Sequence, residues 1–275
     1  PYCVSYVERI KLAEGTPVIM PTSIETNYKI TPEQLEKAIT PRTKAIIYSS
    51  PSNPTGAVYT REELKALAEV FARHPQVYII SDEIYEHINF TPEGHTSIAE
   101  FPEVYEQTIV VNGLAKAYAM TGWRIGFIGA AQWIAKACED LQGQVTSGTN
   151  SVAQQAAVAA LNADPEKMVK PMVEVFARRR ELVLKGLAEI PGFKTDTPYG
   201  AFYAFPDISY YKGKTLGGHK INTSDDLCLY LLSEAHVGLV AGSSFGNDDC
   251  IRLSYAASEE VLTEALRRIK EALLK

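Results

Sequence analysis

The chain has 275 residues, of which 46% are hydrophobic and 22% are charged, and this composition allows one large or two modest globular domains. Its net charge of −6 at pH 7, without any long basic run, argues against a protein that binds nucleic acid or an anionic membrane surface. Its apolar runs are also too short to span a bilayer, so no membrane partner is expected.

Strands and helices are predicted to alternate along the first part of the chain. Two helices should begin at Thr31 and Thr60, where Gln34 and Glu63 complete capping boxes. The other predicted helices are residues 7–13, 133–142 and 151–161, and the last of them is alanine-rich and expected to be buried. The predicted strands are residues 17–20, 43–48, 77–80, 108–111 and 124–130. This alternation predicts an α/β fold with a mostly parallel sheet flanked by helices.

A change in composition at residues 162–165 marks a predicted domain boundary. We predict a large cofactor-binding domain at residues 1–164, partial at its N-terminus, and a smaller C-terminal α+β domain at residues 165–275. The smaller domain should open with one long charged helix at residues 166–190, whose basic run at residues 178–180 faces solvent. Its other predicted elements are helices at residues 225–235 and 258–274 and strands at residues 236–240 and 250–255.

The cysteines and the start of the chain bear on the cellular compartment in which the protein is found. None of the four cysteines forms a C-x-x-C pair, so we expect reduced thiols rather than a zinc or redox motif. With no signal sequence in view, this predicts a cytoplasmic protein, or a plastid protein whose transit peptide has been removed. Residue 1 is Pro rather than Met, so we expect the chain to begin within a fold.

Polar residues follow three of the predicted strands at the point where each strand ends. Asn53 follows the strand at residues 43–48, Asp82 and Tyr85 follow the next strand, and Lys116 follows the third. In open parallel sheets, ligands bind beyond the carboxyl ends of the strands. The three clusters therefore predict an active site at this edge of the sheet.

Lys116 is the most reactive of these candidates. It lies among the small and apolar residues of the segment 114–119, where poor hydration disfavours the ammonium form and makes the amine a better nucleophile. Such a lysine suits Schiff-base chemistry, and Arg124, at the end of the same stretch, supplies a fixed cation suited to a phosphate. The alternative is a surface lysine whose stem packs on apolar neighbours.

Several other signatures are absent or incomplete. There is no G-x-G-x-x-G and no complete Walker A motif, and the histidines do not show metal-ligand spacing, so no metal is expected. We expect each of them to be a surface or packing residue: His74, His87, His95, His219 and His236. Residues 242–246 match the G-x-S-x-G hydrolase elbow, but that fold needs its catalytic histidine after the serine, and His236 precedes Ser244.

Five segments of the chain form a recognisable series. They are residues 51–56 (Pro-Ser-Asn-Pro-Thr-Gly), 81–87 (Ser-Asp-Glu-Ile-Tyr-Glu-His), 112–124 (Asn-Gly-Leu-Ala-Lys to Met-Thr-Gly-Trp-Arg), 200–203 (Gly-Ala-Phe-Tyr) and 251–256 (Ile-Arg-Leu-Ser-Tyr-Ala). In order and spacing, across nearly the whole chain, they resemble the class I aminotransferases of the pyridoxal-phosphate fold type I superfamily. Within subgroup Ib, residues 141–144 and 243–246 are similar to the bacterial and plastid-type aspartate/prephenate aminotransferases.

The resemblance implies three catalytic residues and one cofactor, pyridoxal 5′-phosphate. Lys116 would form the Schiff-base link to the cofactor and would later move the proton at the substrate α-carbon. Asp82 would pair with the protonated pyridine nitrogen and so keep the ring an electron sink. Tyr85 would hydrogen-bond the cofactor's 3′ oxygen and lower the imine pKa.

The resemblance also implies the residues that bind the cofactor and the substrate. Asn53 would hydrogen-bond the cofactor's 3′ oxygen and contribute to the substrate site. Arg124 would hold the cofactor phosphate. Arg252 would bind the substrate α-carboxylate through a bidentate fork that lysine could not reproduce.

The implied activity is that of an aspartate aminotransferase-like homodimer. It would transfer an amino group between aspartate or glutamate and a 2-oxo acid such as 2-oxoglutarate, oxaloacetate or prephenate. Alternatives are an aromatic aminotransferase or a lyase of the same fold type, or an inactive truncated homologue. The last alternative rests on Cys3, where the family usually has an aromatic residue, on Ala115, where it often has serine, and on the expected lack of an N-terminal segment.

Overall fold

A computed structural model describes residues 1–274 of the chain. The helices are α1 (Ser5–Leu12), α2 (Pro32–Ala38), α3 (Arg61–Phe71), α4 (Gln132–Val145), α5 (Ser151–Leu161), α6 (Pro165–Met168), α7 (Lys170–Ala188), α8 (Ser224–Ala235) and α9 (Glu259–Leu273). The strands are β1 (Ala45–Ser49), β2 (Tyr78–Asp82), β3 (Thr108–Gly113), β4 (Gly126–Gly129), β5 (Tyr203–Ala204), β6 (Thr215–Leu216), β7 (His219–Lys220), β8 (Val240–Ala241) and β9 (Ile251–Ser254). Over residues 1–274, none of these helices has the length and apolar character needed to cross a bilayer.

The main sheet contains β1 to β4 in chain order. Strands β1, β2 and β3 run parallel, and β4 is antiparallel to β3. The register pairs Ser49 with Asp82 and Asp82 with Val111, so the carboxyl ends of the three parallel strands lie at the same edge. The predicted α/β fold with a mostly parallel sheet is confirmed.

The helices that flank this sheet begin where the sequence predicts. Thr31 accepts a hydrogen bond from the amide of Gln34, and the Gln34 side chain accepts one from the amide of Thr31. Thr60 and Glu63 repeat the arrangement at the start of α3. Each pair satisfies two of the amides that a helix start leaves without a partner, so both capping boxes are confirmed.

Three predicted elements differ from the structure. Residues 17–20 form no strand; Pro17, the first of them, and Pro21, the residue after them, remove ladder donors, and Val18 is exposed. The predicted helix at residues 166–190 is broken at Val169 into α6 and α7. The predicted strand at residues 236–240 shortens to β8, because His236 takes a left-handed conformation that ends α8.

Helix α5 is also more exposed than its composition predicts. Its bounds are as expected, but Ala153 is its one buried residue, and Val158 is 54% exposed. Alanine favours a helix whether or not the helix is buried, because it loses no side-chain entropy on helix formation. An alanine-rich pattern therefore predicted the helix and not its burial, and the expectation of a buried helix was wrong.

The chain divides into two compact units, which we call the first unit (Pro1–Lys29, Ser52–Ala57 and Glu174 onward) and the second unit (Ile30–Pro51 and Val58–Val173). This division differs from the predicted domains at residues 1–164 and 165–275. The reason lies in the N-terminal part, whose hydrogen bonds include those from the Tyr2 amide to the Phe245 carbonyl and from the Tyr28 hydroxyl to the Phe205 carbonyl.

The first unit has α+β character of its own. Strands β5, β9 and β8 form a small antiparallel sheet in that order. Helices α8 and α9 are joined by a hydrogen bond from the Tyr230 hydroxyl to the Ala272 carbonyl, at 2.8 Å. The main sheet with β1 to β4 lies entirely in the second unit.

Candidate active site

Asp82 is the last residue of β2, at the carboxyl edge of the main sheet. Its Oδ1 accepts a hydrogen bond from the amide of Ile84 at 3.2 Å, and its carbonyl accepts one from the amide of Ser50 at 3.3 Å. A turn follows it, not a helix, so its carboxylate does not serve as a helix cap. The backbone on both sides of this carboxylate is therefore tied to the sheet.

Tyr85 and Lys116 lie side by side, although they come from different connections. The Tyr85 ring is buried, and the Lys116 Nζ lies 5.6 Å from its centroid. This distance is within the range of a cation–π contact. The structure therefore brings together two of the three predicted catalytic residues, one after β2 and one after β3.

The loop that carries Lys116 is held by its own backbone. The Leu114 carbonyl accepts hydrogen bonds from the amides of Tyr118 and Met120, both at 3.3 Å. A Cβ at Gly113 would lie 3.0 Å from the Cα of Gly126, so the pairing of β3 with β4 requires glycine at the start of this loop. Leu114 and its apolar neighbours are buried, and Lys116 itself is partly buried.

Arg124 ends the same segment in a left-handed conformation, with φ of 53°. Its Nη1 donates a hydrogen bond to the Thr121 carbonyl at 2.9 Å. The residue lines an open cavity of about 870 Å³, together with the polar side chains of Gln142, Thr146 and Asn150. A guanidinium beside hydroxyl and amide groups is the donor set that binds a phosphate well.

Arg252 lies on β9 in the first unit. Its Nη1 donates a hydrogen bond to Asn53 Oδ1 at 2.8 Å. Its guanidinium carbon lies 4.5 Å from the Tyr203 ring centroid and 4.8 Å from the Phe245 centroid. Its Nε is buried without a hydrogen-bond partner among the described residues. Arg252 is therefore not an ordinary surface strand residue, because two rings and the Asn53 amide hold its planar cation in place.

Asn53 is held in a tight loop. Gly56 in this loop has φ of +70°, and a Cβ there would lie 2.3 Å from the Cβ of Pro198, so only glycine fits. The Gly56 carbonyl accepts hydrogen bonds from the amides of Tyr199 and Gly200. Asn53 Nδ2 lies 3.9 Å from the Cys3 sulfur, so a thiol contacts the side-chain amide in this loop.

The predicted site residues thus form two groups. Asp82, Tyr85, Lys116 and Arg124 belong to the second unit. Asn53 and Arg252 belong to the first unit and contact each other directly. Each role assigned to these six residues stays a prediction.

Sequence reasoning missed a buried hydrogen-bonded pair next to Asp82. His95 was expected to be a surface or packing residue, but its Nε2 lies 2.9 Å from an oxygen of Glu83, which is only 3% exposed. Glu86 lies close enough to both for the three to be possible metal ligands, which their spacing in the sequence did not indicate. One feature of the sequence could have indicated this pair: Glu83 lies between the site residues Asp82 and Tyr85, directly after an apolar strand.

The G-x-S-x-G segment has a structural explanation. Residues Gly242–Phe245 form a single 3-10 turn after β8, with no α-helix behind it. The Ser243 hydroxyl donates a hydrogen bond to Asp225, and the Ser243 amide donates one to the Ser224 hydroxyl. The segment therefore ties the turn to the start of α8, and a nucleophile elbow is not formed.

Comparison with known proteins agrees with the resemblance inferred from the sequence motifs. A profile of the family described as "Aminotransferase class I and II" matches residues 1–269. A curated relative from Petunia hybrida, named as a bifunctional aspartate aminotransferase and glutamate/aspartate-prephenate aminotransferase, is 49% identical over 277 residues. The match covers 100% of this chain and 58% of the petunia protein, so this chain spans a little over half of that relative's length.

Solved structures similar to this one include two from different organisms. A structure of the aspartate aminotransferase from Rhizobium meliloti has a TM-score of 0.95 and 43% identity, and the match covers 99% of this chain and 68% of that one. An aromatic aminotransferase from Pyrococcus horikoshii OT3 has a TM-score of 0.92 and 39% identity, and the match covers 100% of this chain and 71% of that one.

Proposed function

This chain belongs to the class I and II aminotransferase family, and we propose that it binds pyridoxal phosphate and transfers an amino group between aspartate or glutamate and a 2-oxo acid. The observation that carries the proposal is the placement of the Lys116 amine 5.6 Å from the Tyr85 ring, in the loops that follow β2 and β3. Asp82 ends the strand between β1 and β3.

The chemistry of the donors in the second unit fits this cofactor. A carboxylate suits a protonated pyridine nitrogen, a phenol suits the 3′ oxygen, an amine suits the aldehyde, and a guanidinium suits the phosphate. These four groups are supplied, in that order, by Asp82, Tyr85, Lys116 and Arg124. Three of them follow parallel strands at one edge of the sheet, where ligands of this fold class bind.

Bound pyridoxal phosphate would supply an aldehyde that captures amino groups and a ring that withdraws electrons from the substrate α-carbon. Lys116 would move a proton between the substrate α-carbon and the cofactor's C4′ atom. An amine partly shielded from water can act first as the base and then as the acid. Tyr85 would hold the cofactor oxygen and, through its ring, would keep the lysine amine in position.

Arg252 would bind the substrate's α-carboxylate. Two aromatic rings and the Asn53 amide orient its guanidinium. Because the cation is ordered before substrate arrives, less entropy is lost when the carboxylate binds. The Asn53 Nδ2 would then be a donor to the cofactor or the substrate, since its Oδ1 is already used by Arg252.

The substrate class is supported by the relatives. The names of the petunia and Rhizobium meliloti proteins specify aspartate, and the petunia name adds prephenate and glutamate. The second candidate is an aromatic aminotransferase, supported by the similarity to the Pyrococcus structure. Formation of oxaloacetate, 2-oxoglutarate or phenylpyruvate from the matching amino acid, measured separately, decides between them. A lyase would consume the amino acid without passing its amino group to an added oxo acid.

The cofactor assignment is tested by borohydride reduction after incubation with pyridoxal phosphate. Reduction makes the imine bond permanent, and peptide mass mapping then locates the lysine. We expect the label on Lys116, its loss in Lys116→Ala, and its retention in Lys136→Ala, which removes a surface lysine paired with Asp140. Label scattered over surface lysines, or no label, would contradict the proposal.

We also propose that the chain acts as a cytoplasmic homodimer, as the resemblance implies. Sedimentation of the protein with pyridoxal phosphate bound tests the assembly. An active species with the mass of one 30.3 kDa chain would contradict it.

A further inference from the structure

A hydrogen-bond network surrounds the Glu83 carboxylate, directly beside Asp82. Its Oε1 accepts hydrogen bonds from the Ser81 hydroxyl at 2.8 Å and from the Ser97 hydroxyl at 2.6 Å. Its Oε2 lies 2.9 Å from His95 Nε2. An ionised carboxylate can only accept, so Nε2 carries the hydrogen. Both oxygens of the buried Glu83 side chain therefore have side-chain partners.

The position of this network in the chain gives it a role beyond packing. Ser81 and Glu83 lie two residues apart on an extended backbone, so their side chains share one face, and the intervening Asp82 points to the other. The Glu83 amide donates to the Val111 carbonyl at 2.9 Å, which continues the pairing of β2 with β3. The Glu83 carbonyl accepts from the amide of Glu86, and this bond closes the turn that contains Tyr85.

The network also joins Glu83, the residue after Asp82, to a segment 12 to 14 residues further along the chain. Ser97 and His95 belong to the connection after β2, and Ser97 additionally caps a 3-10 turn by accepting from the amide of Ala99. Without Glu83, the strand end would be held by backbone hydrogen bonds, by the contact of the Ser81 and Tyr48 hydroxyls at 3.0 Å, and by the bond from the Ile84 amide to Asp82 Oδ1. With it, the carboxyl end of β2 is fixed by three further bonds, two of them from outside the strand.

We propose that Glu83, held by His95 and Ser97, is a positioning residue that fixes Asp82 and Tyr85 for the cofactor. This inference rests on the proposed function and adds to it a part that touches neither cofactor nor substrate. The alignment of the Asp82 carboxylate is what matters. A hydrogen bond from the cofactor's pyridine nitrogen to this carboxylate would weaken steeply if the donor and acceptor were misaligned, and a misplacement of about 1 Å can cost about 100-fold in rate.

A metal site is the competing explanation for the same residues, since Glu86 lies near Glu83 and His95. Both Glu83 oxygens are already occupied by the serine hydroxyls and the imidazole. A metal-ligating histidine normally donates its second ring nitrogen to a partner, whereas the buried His95 Nδ1 has no partner among the described residues. The hydrogen-bond network therefore explains the contacts better than a metal does.

Paired substitutions separate positioning from stability. His95→Leu removes the hydrogen bond to Glu83, while His95→Gln retains a donor where Nε2 lies. Glu83→Ala removes the acceptor of all three hydrogen bonds. Glu83→Gln keeps a carbonyl oxygen that can accept from both serine hydroxyls. His95 can then carry its hydrogen on Nδ1, so that Nε2 accepts from the new amide group. Gln107→Ala is the matched control: Gln107 is equally buried in the second unit and donates to the Phe71 carbonyl, at the opposite end of the sheet.

Three quantities are measured for each variant: the thermal midpoint of the protein without cofactor, the Kd for pyridoxal phosphate, and amide exchange in the peptide covering residues 81–88. We expect Glu83→Ala and His95→Leu to raise the Kd about tenfold, the effect of losing one charged hydrogen bond, and to accelerate exchange at residues 82–86. The two glutamine variants should stay near wild type. Gln107→Ala should lower the midpoint and leave the Kd unchanged.

The outcomes distinguish this inference from the proposed function. A wild-type chain that binds no pyridoxal phosphate overturns the proposed function, and this inference with it. Wild-type binding that Glu83→Ala and His95→Leu leave unchanged overturns this inference alone, as does an equal rise in Kd in Gln107→Ala. If Glu83→Ala does not fold, the comparison of His95→Leu with His95→Gln decides the question.

Discussion

Arg252 shows how a single residue depends on its shape as well as its charge. Its guanidinium lies between the rings of Tyr203 and Phe245 and donates to Asn53. Only a planar cation can stack on a ring and also present parallel donors to a carboxylate. A compact ammonium on a flexible stem would retain the charge but lose both features.

We therefore expect Arg252→Lys to raise the KM for aspartate by about 10- to 100-fold, as a charged hydrogen bond is worth about 1.5–3 kcal/mol. The Kd for pyridoxal phosphate should change little, because the residue is assigned to the substrate. Steady-state kinetics and a cofactor titration measure the two quantities. Arg267→Lys, on the surface of α9, is the control, and equal KM values in both variants would contradict the assignment.

The cysteines differ in reactivity because they differ in burial. Burial raises the pKa of the Cys250 thiol to about 12, so almost none of it is thiolate near pH 8, whereas Cys138 is exposed on α4. The thiolate is the reactive form. We expect a maleimide to label Cys138 readily and Cys250 only after unfolding. Mass mapping of labelled peptides tests this, and early labelling of Cys250 in the folded protein would contradict it.

Helix α3 shows how an element is positioned by its start. Thr60 and Glu63 satisfy its first amides, and Leu64, Leu67 and Phe71 are buried along one side. The helix lies in the connection between β1 and β2, so its first turn helps to set the path of the chain into the strand that carries Asp82.

Thr60→Ala should lower the free energy of unfolding by about 0.5–2 kcal/mol, the usual cost of losing a helix cap. Thr60→Ser keeps the hydroxyl acceptor and should lose much less. Urea unfolding followed by circular dichroism measures both. The capping interpretation would be wrong if the serine variant lost as much stability as the alanine variant.

At the scale of the whole molecule, the distribution of apolar side chains is uneven. In the second unit, large apolar side chains are exposed on α4 and α5: Trp133, Leu141, Val145, Val152, Val158 and Leu161. Exposed apolar surface can mark an interaction site or promote association when it is contiguous. Trp133 still contacts the Tyr78 ring, with the centroids 5.8 Å apart, whereas Val158 on α5 is 54% exposed.

Val158→Glu should therefore leave the free energy of unfolding within about 0.5 kcal/mol of wild type, as for other surface substitutions. It should also reduce the binding of a hydrophobic dye, because it places a charge in the exposed apolar surface. Leu67→Glu, buried in α3, is the contrasting variant and should unfold the protein. A large loss of stability in Val158→Glu would show that α5 is packed more closely than described.

Local patterns in the sequence predicted a large part of the fold. The capping boxes at Thr31 and Thr60, the parallel strands and the polar residues at their ends all depend on neighbours a few residues away. The series of five motifs likewise identified the family. Residues 17–20 were wrongly assigned to a strand, because a short apolar run cannot reveal whether a partner strand is available.

By itself, the sequence predicted which residues would do the chemistry: Lys116 and Asp82 from their type and their place at or after a strand end, and Arg252 from the resemblance to the family. Tertiary structure alone decided how they are held. The pairing of Glu83 with His95, the stacking of Arg252 on two rings and the exposure of α5 each depend on contacts between segments far apart in the chain. Hydrophobic periodicity and propensity describe a residue's immediate neighbours, and they carry no information about which distant side chain will meet a buried charge.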